Sequence, residues 1–219
     1  MKNYYPLLKD VSMFKGIDEE SFPEMLSYLD AYEKSYDKND SILNAGDPVI
    51  NVGIVLDGLI HIIKEDVNGN RSIVAEFGKN HIFAEAFCCA RLEKMPVSVT
   101  SASKSSIFFV NYGKIIRECG GKRHFHHMLI ENMLMIMARK NLVLNQKIEY
   151  VSKRTTREKL MAYLSRCAVE SQSRIFEIPF NRQELSDFLF IDRSAMSKEL
   201  SKLKEEGIID YYKNQFKLL

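Results

Sequence analysis

The chain of 219 residues predicts an α+β fold: an N-terminal double-stranded β-helix (jelly roll), one long helix, and a C-terminal winged helix-turn-helix. Three observations predict it. Between about Ser41 and Val110, short β-branched runs alternate with turn residues. From about Phe125 to Tyr150, one stretch is apolar on more than one side of a helix. After Asn181, two capped helical segments lead into a short β ending. The predicted division is 1–124 for the roll, 125–150 for the long helix and 151–219 for the last domain. A 46% apolar and 27% charged composition suits globular domains of this size.

Residues 10–35 read as short helices, with Phe14, Phe22, Met25, Leu26 and Leu29 at helical spacing. The β region follows. Ala45-Gly46-Asp47-Pro48 and Asp57-Gly58 are turns around Val52-Gly53-Ile54-Val55-Leu56. Leu59-Ile60-His61-Ile62-Ile63 and Ser72-Ile73-Val74-Ala75 flank Asn68-Gly69, a strong hairpin signal because a type I′ turn needs two positive φ angles. Val97–Ser101 and Ile107–Val110 complete the run. Strands this short, with turns this frequent, argue for a barrel or jelly roll.

The long stretch carries Met128, Leu129, Met133, Leu134, Ile136, Met137, Leu142, Val143 and Leu144. A helix apolar over so much of its surface needs cover on two sides. One side packs on the roll and the other on a twin helix; a core helix inside a monomer is the alternative. Lys159, Leu160, Ala162, Tyr163 and Leu164 then open the last domain, and Phe176–Phe180 reads as a strand or extended link.

Asn181 is an N-cap with Glu184 three residues on, a capping box. That helix ends near Leu189, and Phe190-Ile191 makes the turn. Asp192 caps the second helix, to about Lys204. Leu185, Phe188, Leu189, Met196, Leu200 and Leu203 form the buried face. Arg193, Ser194, Ser197 and Lys198 are left outward on the first turns of the second helix. There Arg or Lys reaches guanine O6 and N7, Ser reaches base edges or phosphate, and the helix N-terminus favours phosphate. Gly207 ends the helix, and Ile208–Leu219 reads as a hairpin with Lys213 at its tip, in reach of phosphate. The DNA-facing candidates are Arg182, Gln183, Asp192, Arg193, Ser194, Ser197, Lys198, Lys202 and Lys213.

Charge fits this division weakly. Residues 1–149 carry 18 basic and 19 acidic side chains, and residues 150–219 carry 13 and 10, for a net charge of +2. No run of eighteen apolar residues marks a membrane span, and Met1–Pro6 has no apolar signal-peptide core, so the expected location is the cytoplasm. Cys88, Cys89, Cys119 and Cys167 show no zinc-ligand spacing and read as reduced thiols, with a redox or metal role for Cys88 or Cys89 as the alternative. An enzyme of the cupin type would need several strand histidines beside a carboxylate, and His61 alone sits on a strand; His124, His126 and His127 start the helix. With no catalytic triad and no phosphate-binding glycine loop, the chain is not expected to be an enzyme.

These segments resemble the Crp/Fnr superfamily of transcription regulators. The resemblance rests on Asn181–Leu185, Asp192–Leu200 and Lys204–Ile209, and on Gly46-Asp47, Val55–Gly58, Asn68-Gly69 and Ile82–Glu85. Met137-Ala138-Arg139 and Lys147-Ile148 fit the family's long helix. It implies a homodimer on a palindromic operator in double-stranded DNA, with RNA polymerase as a further partner of an activator and no membrane. It also implies an effector held beneath the roll against the long helix, and a hinge near Tyr150–Arg154.

The departures bear on the effector. Cyclic-AMP members use a Gly-Glu pair, an Arg-Ser pair on the phosphate and polar long-helix residues. This chain has Ala84-Glu85, Met95-Pro96, and Lys140, Leu144 and Asn145. A buried cyclic phosphate would lack its bidentate partner, so cyclic AMP is not the expected ligand. The iron–sulfur cysteines of oxygen-sensing members are missing before Cys88. A haem would rely on His81, Cys88 or Cys89. The candidate pocket is Phe83, Ala84, Glu85, Ala86, Phe87, Met95, Pro96, Val97 and Met133, with Lys140 and Asn141. It suits a small, partly apolar organic effector of unassigned identity; no cofactor or metal is expected. The alternatives are an effector-independent regulator and a redox- or haem-responsive one of the same fold. Ser194 replaces a common Glu in the DNA reader, and Phe190 stands where the turn usually has Gly.

Overall fold

The computed structural model describes residues 3–66, 71–117 and 124–219. In chain order the elements are α1 (Tyr5–Leu8), a 3-10 turn (Ser12–Phe14), α2 (Phe22–Tyr28), β1 (Tyr32–Tyr36), β2 (Ser41–Leu43), β3 (Asn51–Asp57), β4 (Ile60–Glu65), β5 (Arg71–Phe77), β6 (Ile82–Phe83), α3 (Glu85–Cys89), β7 (Ser98–Ser101), β8 (Ser105–Asn111) and α4 (Tyr112–Ile116). Then come α5 (His124–Val151), α6 (Thr156–Glu170), β9 (Ile175–Glu177), α7 (Arg182–Leu189), α8 (Arg193–Glu205), β10 (Ile209–Tyr212) and β11 (Gln215–Leu218). The fold is the expected α+β one: jelly roll, long helix, winged helix-turn-helix. The hairpin turn at Asn68-Gly69, and Cys119, lie outside the described residues.

The chain forms two compact units, residues 1–138 and 139–219, which divide within α5. In the first, two four-stranded antiparallel sheets face each other, in the orders β1-β8-β3-β6 and β2-β7-β4-β5. The central strands of the first sheet, β8 and β3, are buried on both faces. Val52, Ile54 and Leu56 of β3, with Phe108 and Val110 of β8, point to a core shared with α2, the 3-10 turn and the first half of α5. Val55, Ile107 and Phe109 point the other way, into the space between the sheets. Burial on two sides explains why these strands are unbroken apolar runs rather than alternating ones. The second sheet has an outer face in water, where Ile73 and Val74 are more than half exposed.

Tyr32–Ser35, the end of the region expected to form short helices, belongs instead to strand β1, in register with β8 from Tyr32↔Phe109 to Tyr36↔Ser105. The partner lies far along the chain, so pairing overrides a weak local helix pattern. Gly53 serves a close approach: a Cβ there would fall 2.1 Å from the Phe83 ring, which is 1% exposed. The first half of α5 buries Phe125, Leu129, Met133 and Ile136, a stripe at helical spacing. Asn132 fixes the register of that packing, its Nδ2 donating to the carbonyls of Met13 (3.0 Å) and Lys15 (2.9 Å).

In the second unit, Thr155 and Glu158 form a capping box that starts α6. Strands β10, β11 and β9 make one three-stranded sheet, so the Phe176 segment is a strand of the wing. The core holds Leu160, Leu164, Leu185, Leu189, Met196, Leu200, Leu203, Ile209 and Phe216, and includes Tyr150 from the end of α5. Rings tie that end down: Tyr150 meets Tyr163 edge-on at 5.7 Å and Phe188 at 6.3 Å.

Candidate functional site

The helix pair is set by local caps. At α7, the Glu184 amide donates to Asn181 Oδ1 (3.0 Å) and the Asn181 amide to Glu184 Oε2 (2.7 Å). At α8, the Asp192 carboxylate accepts from the Ala195 amide (2.9 Å) and the Ser194 hydroxyl. These bonds hold its carboxyl below the usual range, the Ser194 bond most of all. Gly207, at φ 72°, follows the last turn.

Spacing then decides the faces of α8. Met196, Leu200 and Leu203 are 0–1% exposed, and Arg193, Ser194, Ser197, Lys198 and Lys202 stand in water. The face turned away from the core thus carries three cations and two hydroxyls over about two and a half turns. Ser197 donates to the Arg193 carbonyl (2.9 Å), leaving its oxygen lone pairs outward. Asp192 and Ser194 are engaged with each other. The carboxylate starts the helix; the hydroxyl is a neutral contact beside it.

Arg182, a sequence candidate for the same surface, is placed differently. Its guanidinium stacks on Tyr211 (4.8 Å) and Phe216 (5.0 Å) of the wing. Burial pulls it below its usual value, and its Nη2 is buried with no hydrogen-bond partner. It secures the wing to the start of α7. Gln183 donates to Asp187 one turn along α7 (2.9 Å). Lys213, exposed, is at the wing tip with φ 52°.

Three contacts that hold the reader were not legible beforehand. Arg157 at the start of α6 takes both oxygens of Glu206 (2.6 and 2.9 Å) and one of Glu199 (2.6 Å). The Glu206 pair contributes most to raising the Arg157 pKa. Lys204 meets Asp210 at 2.6 Å, joining α8 to β10. Lys159 donates to the Leu189 and Phe190 carbonyls at 3.4 and 3.3 Å, capping α7 with a cation. The partners are 6 to 49 residues apart, outside any local pattern. Phe190 itself is left-handed, φ 52° and ψ 56°, a conformation costing a non-glycine residue roughly 1 kcal/mol.

In the first unit, β6 runs into Ala84 at φ 63° and then α3. Phe83, Ala84 and Met95 are 1–8% exposed and lie in the cluster between the sheets, with Phe87 and Val97 against it. Glu85 is 4% exposed. Ala86 and Pro96 are exposed. Met133 is not grouped with these: its side of α5 packs on the outer face of the sheet, in the other core. Lys140 and Asn141 are exposed on α5 within the second unit. Cys88 is buried, and burial pushes its thiol up to about 12, the setting of an unreactive thiol. His81 stacks on Phe77 at 5.4 Å, its Nδ1 3.2 Å from the Gly78 carbonyl. Among the described residues, no group of three or more His, Cys, Asp or Glu could hold a metal, and no helix is long and apolar enough to cross a membrane.

Comparison with known proteins agrees with this arrangement. The cyclic nucleotide-binding domain family matches residues 33–120, and the Crp-like helix-turn-helix domain family matches residues 158–219. No curated protein sequence matches the chain. Among solved structures, the chain is similar to the catabolite activator protein of Thermus thermophilus, with 16% identity, a TM-score of 0.53 and coverage of 95% of this chain and 93% of that one. It is also similar to DNR of Pseudomonas aeruginosa, with 18% identity, a TM-score of 0.54 and coverage of 100% and 95%. A third is the c-di-GMP-responsive regulator CLP of Xanthomonas campestris, with 14% identity, a TM-score of 0.54 and coverage of 92% and 99%. At these identities the likeness is one of fold. With a cyclic nucleotide-binding domain followed by a Crp-like helix-turn-helix domain, the chain belongs to the Crp/Fnr superfamily of DNA-binding transcription regulators.

Proposed function

We propose that this chain is a homodimeric, cytoplasmic transcription regulator that reads a palindromic operator, under the control of a small organic effector other than cyclic AMP. The observation that carries the DNA part is the water-facing side of α8, where Arg193, Ser194, Ser197 and Lys198 cluster at the helix start opposite a fully buried face. Arg193 and Lys198 supply donors to base edges and Lys202 and Lys213 to phosphates, while the two serines, whose hydroxyl protons are held by Asp192 and the Arg193 carbonyl, offer oxygen lone pairs to base-edge donors. Two copies arise by pairing the uncovered side of α5, where Leu134, Leu142 and Ile148 are 52–66% exposed. An activator of this kind would also touch RNA polymerase.

The experiment is duplex selection from a random library with the full chain, followed by binding of the Arg193→Ala/Lys198→Ala double variant. Undiminished affinity in that variant, or a monomer in sedimentation, would overturn the reading.

A cyclic phosphate needs a buried cation or several N–H donors. Met95-Pro96 supplies no side-chain donor, and Pro96 has no N–H. Phe83, Phe87, Met95 and Val97 suit an apolar body, and Glu85 a polar end. Titration with aromatic carboxylates, phenols and cyclic AMP tests this, with DNA affinity as the readout. A second reading, a regulator needing no effector, is favoured by the filling between the sheets: Val55, Ile60, Phe83, Met95, Val99, Ile107 and Phe109 are all 0–3% exposed. A redox role for Cys88 is disfavoured by the burial of its thiol.

A further inference from the structure

Phe190 breaks two local rules at once. It closes α7 in the left-handed region, where glycine is the unstrained residue. Its side chain is also 67% exposed, so the ring gains little from burial. For folding alone, glycine would serve this turn better.

The ring has a different occupation. Lys147 Nζ lies 5.1 Å from the Phe190 centroid and 5.3 Å from that of Phe188. Lys147 is half-buried on the last turns of α5, three residues before Tyr150, which is locked into the core. Lys159 of α6 reaches the Phe190 carbonyl from another direction. Three helices therefore converge on one turn residue, which stands two positions before the Asp192 cap of α8. A shift of α5 that moved Lys147 would act on the turn from which the recognition helix starts.

We infer that Phe190 and Lys147 form a positioning clasp that holds α8 in its DNA-reading pose against the end of α5. Several non-glycine residues have positive φ; what sets Phe190 apart is that its exposed ring also faces a cation of another helix. The inference rests on the DNA-binding reading above. Neither residue touches DNA in it; both act through the pose of α8.

The clasp makes a prediction of opposite signs, which a merely structural contact would not. The test uses the full chain and the duplex that the unaltered chain selects from a random library. Phe190→Gly should raise the thermal midpoint by about 2–4 °C, through relief of strain, and yet weaken duplex binding by about tenfold. Lys147→Met should weaken binding similarly without raising the midpoint. The double variant should bind like either single one, within about twofold, because both changes release the same contact. Phe190→Tyr, which keeps the ring, should retain affinity. Phe190→Gly binding as tightly as the unaltered chain would overturn the clasp alone, as would two losses that multiply. An unaltered chain that selects no duplex would overturn the DNA-binding reading and the clasp together.

Discussion

Strand β8 and helix α8 are both built on apolar repeats, yet they leave the molecule with opposite surfaces. In β8, Ile107, Phe108, Phe109 and Val110 are all 0–2% exposed, alternate side chains facing two different cores. In α8, Met196, Leu200 and Leu203 are as deeply buried, but the face that bears Arg193, Ser194, Ser197, Lys198 and Lys202 stands in water. An element covered on both sides can bind a partner only by displacing its own core. An element covered on one side offers a rigid platform at no such cost. A ligand between the sheets would therefore have to displace core side chains, whereas α8 presents its surface ready-made.

The contrast can be tested by substitutions on its two sides. The largest effect is expected in the roll: Phe83→Ala should destabilise the chain by about 3–5 kcal/mol in chemical denaturation, through a cavity between the sheets. The same change should leave the α8 surface intact. In the reader, Arg193→Ala/Lys198→Ala should reduce operator affinity by about 100-fold, each contact being worth about 1–3 kcal/mol, with no shift in the denaturation midpoint. A loss of stability there would mean that the face is not a free platform. Gly53→Ala should cost about 1–3 kcal/mol by forcing the Phe83 ring aside.

Smaller effects follow at the caps. Ala84→Gly should stabilise the roll by about 1 kcal/mol, because Ala84 lies at φ 63°. For Asp192 the effect is one of pH. Its folded pKa is lowered by the Ser194 and Ala195 bonds. Its contribution is thus present above the unfolded value of about 4 and is lost as pH falls through the folded one. Asp192→Ala should lower the thermal midpoint at neutral pH, and the gap from the unaltered chain should close in acid.

Much of the reader was legible because its signals are local. Asn181 with Glu184, Asp192 before Ala195, and Gly207 after α8 lie within a turn of the groups they satisfy. The apolar periods of α7 and α8 named their own buried faces. The candidate pocket was legible only as a set of residue types. Met133 is apolar like Phe83 and Met95, but it packs in the core on the opposite side of the β1-β8-β3-β6 sheet. The place of Arg182 at the start of α7 suggests a DNA contact, yet its guanidinium lies on the wing. The rings that take its guanidinium, Tyr211 and Phe216, lie about thirty residues further on.

Chain order and side-chain period were enough to specify the succession of roll, long helix and helix pair, the capped ends, and the outward cations of α8. All of these depend on neighbours within a few positions. They did not specify that β1 is a strand, that Phe83 rests on Gly53, that Arg157 clamps Glu206, or that Lys147 faces Phe190. Those partners are separated by 30 to 77 residues. Which distant side chains meet follows from sheet pairing and helix docking, energies that no single segment contains.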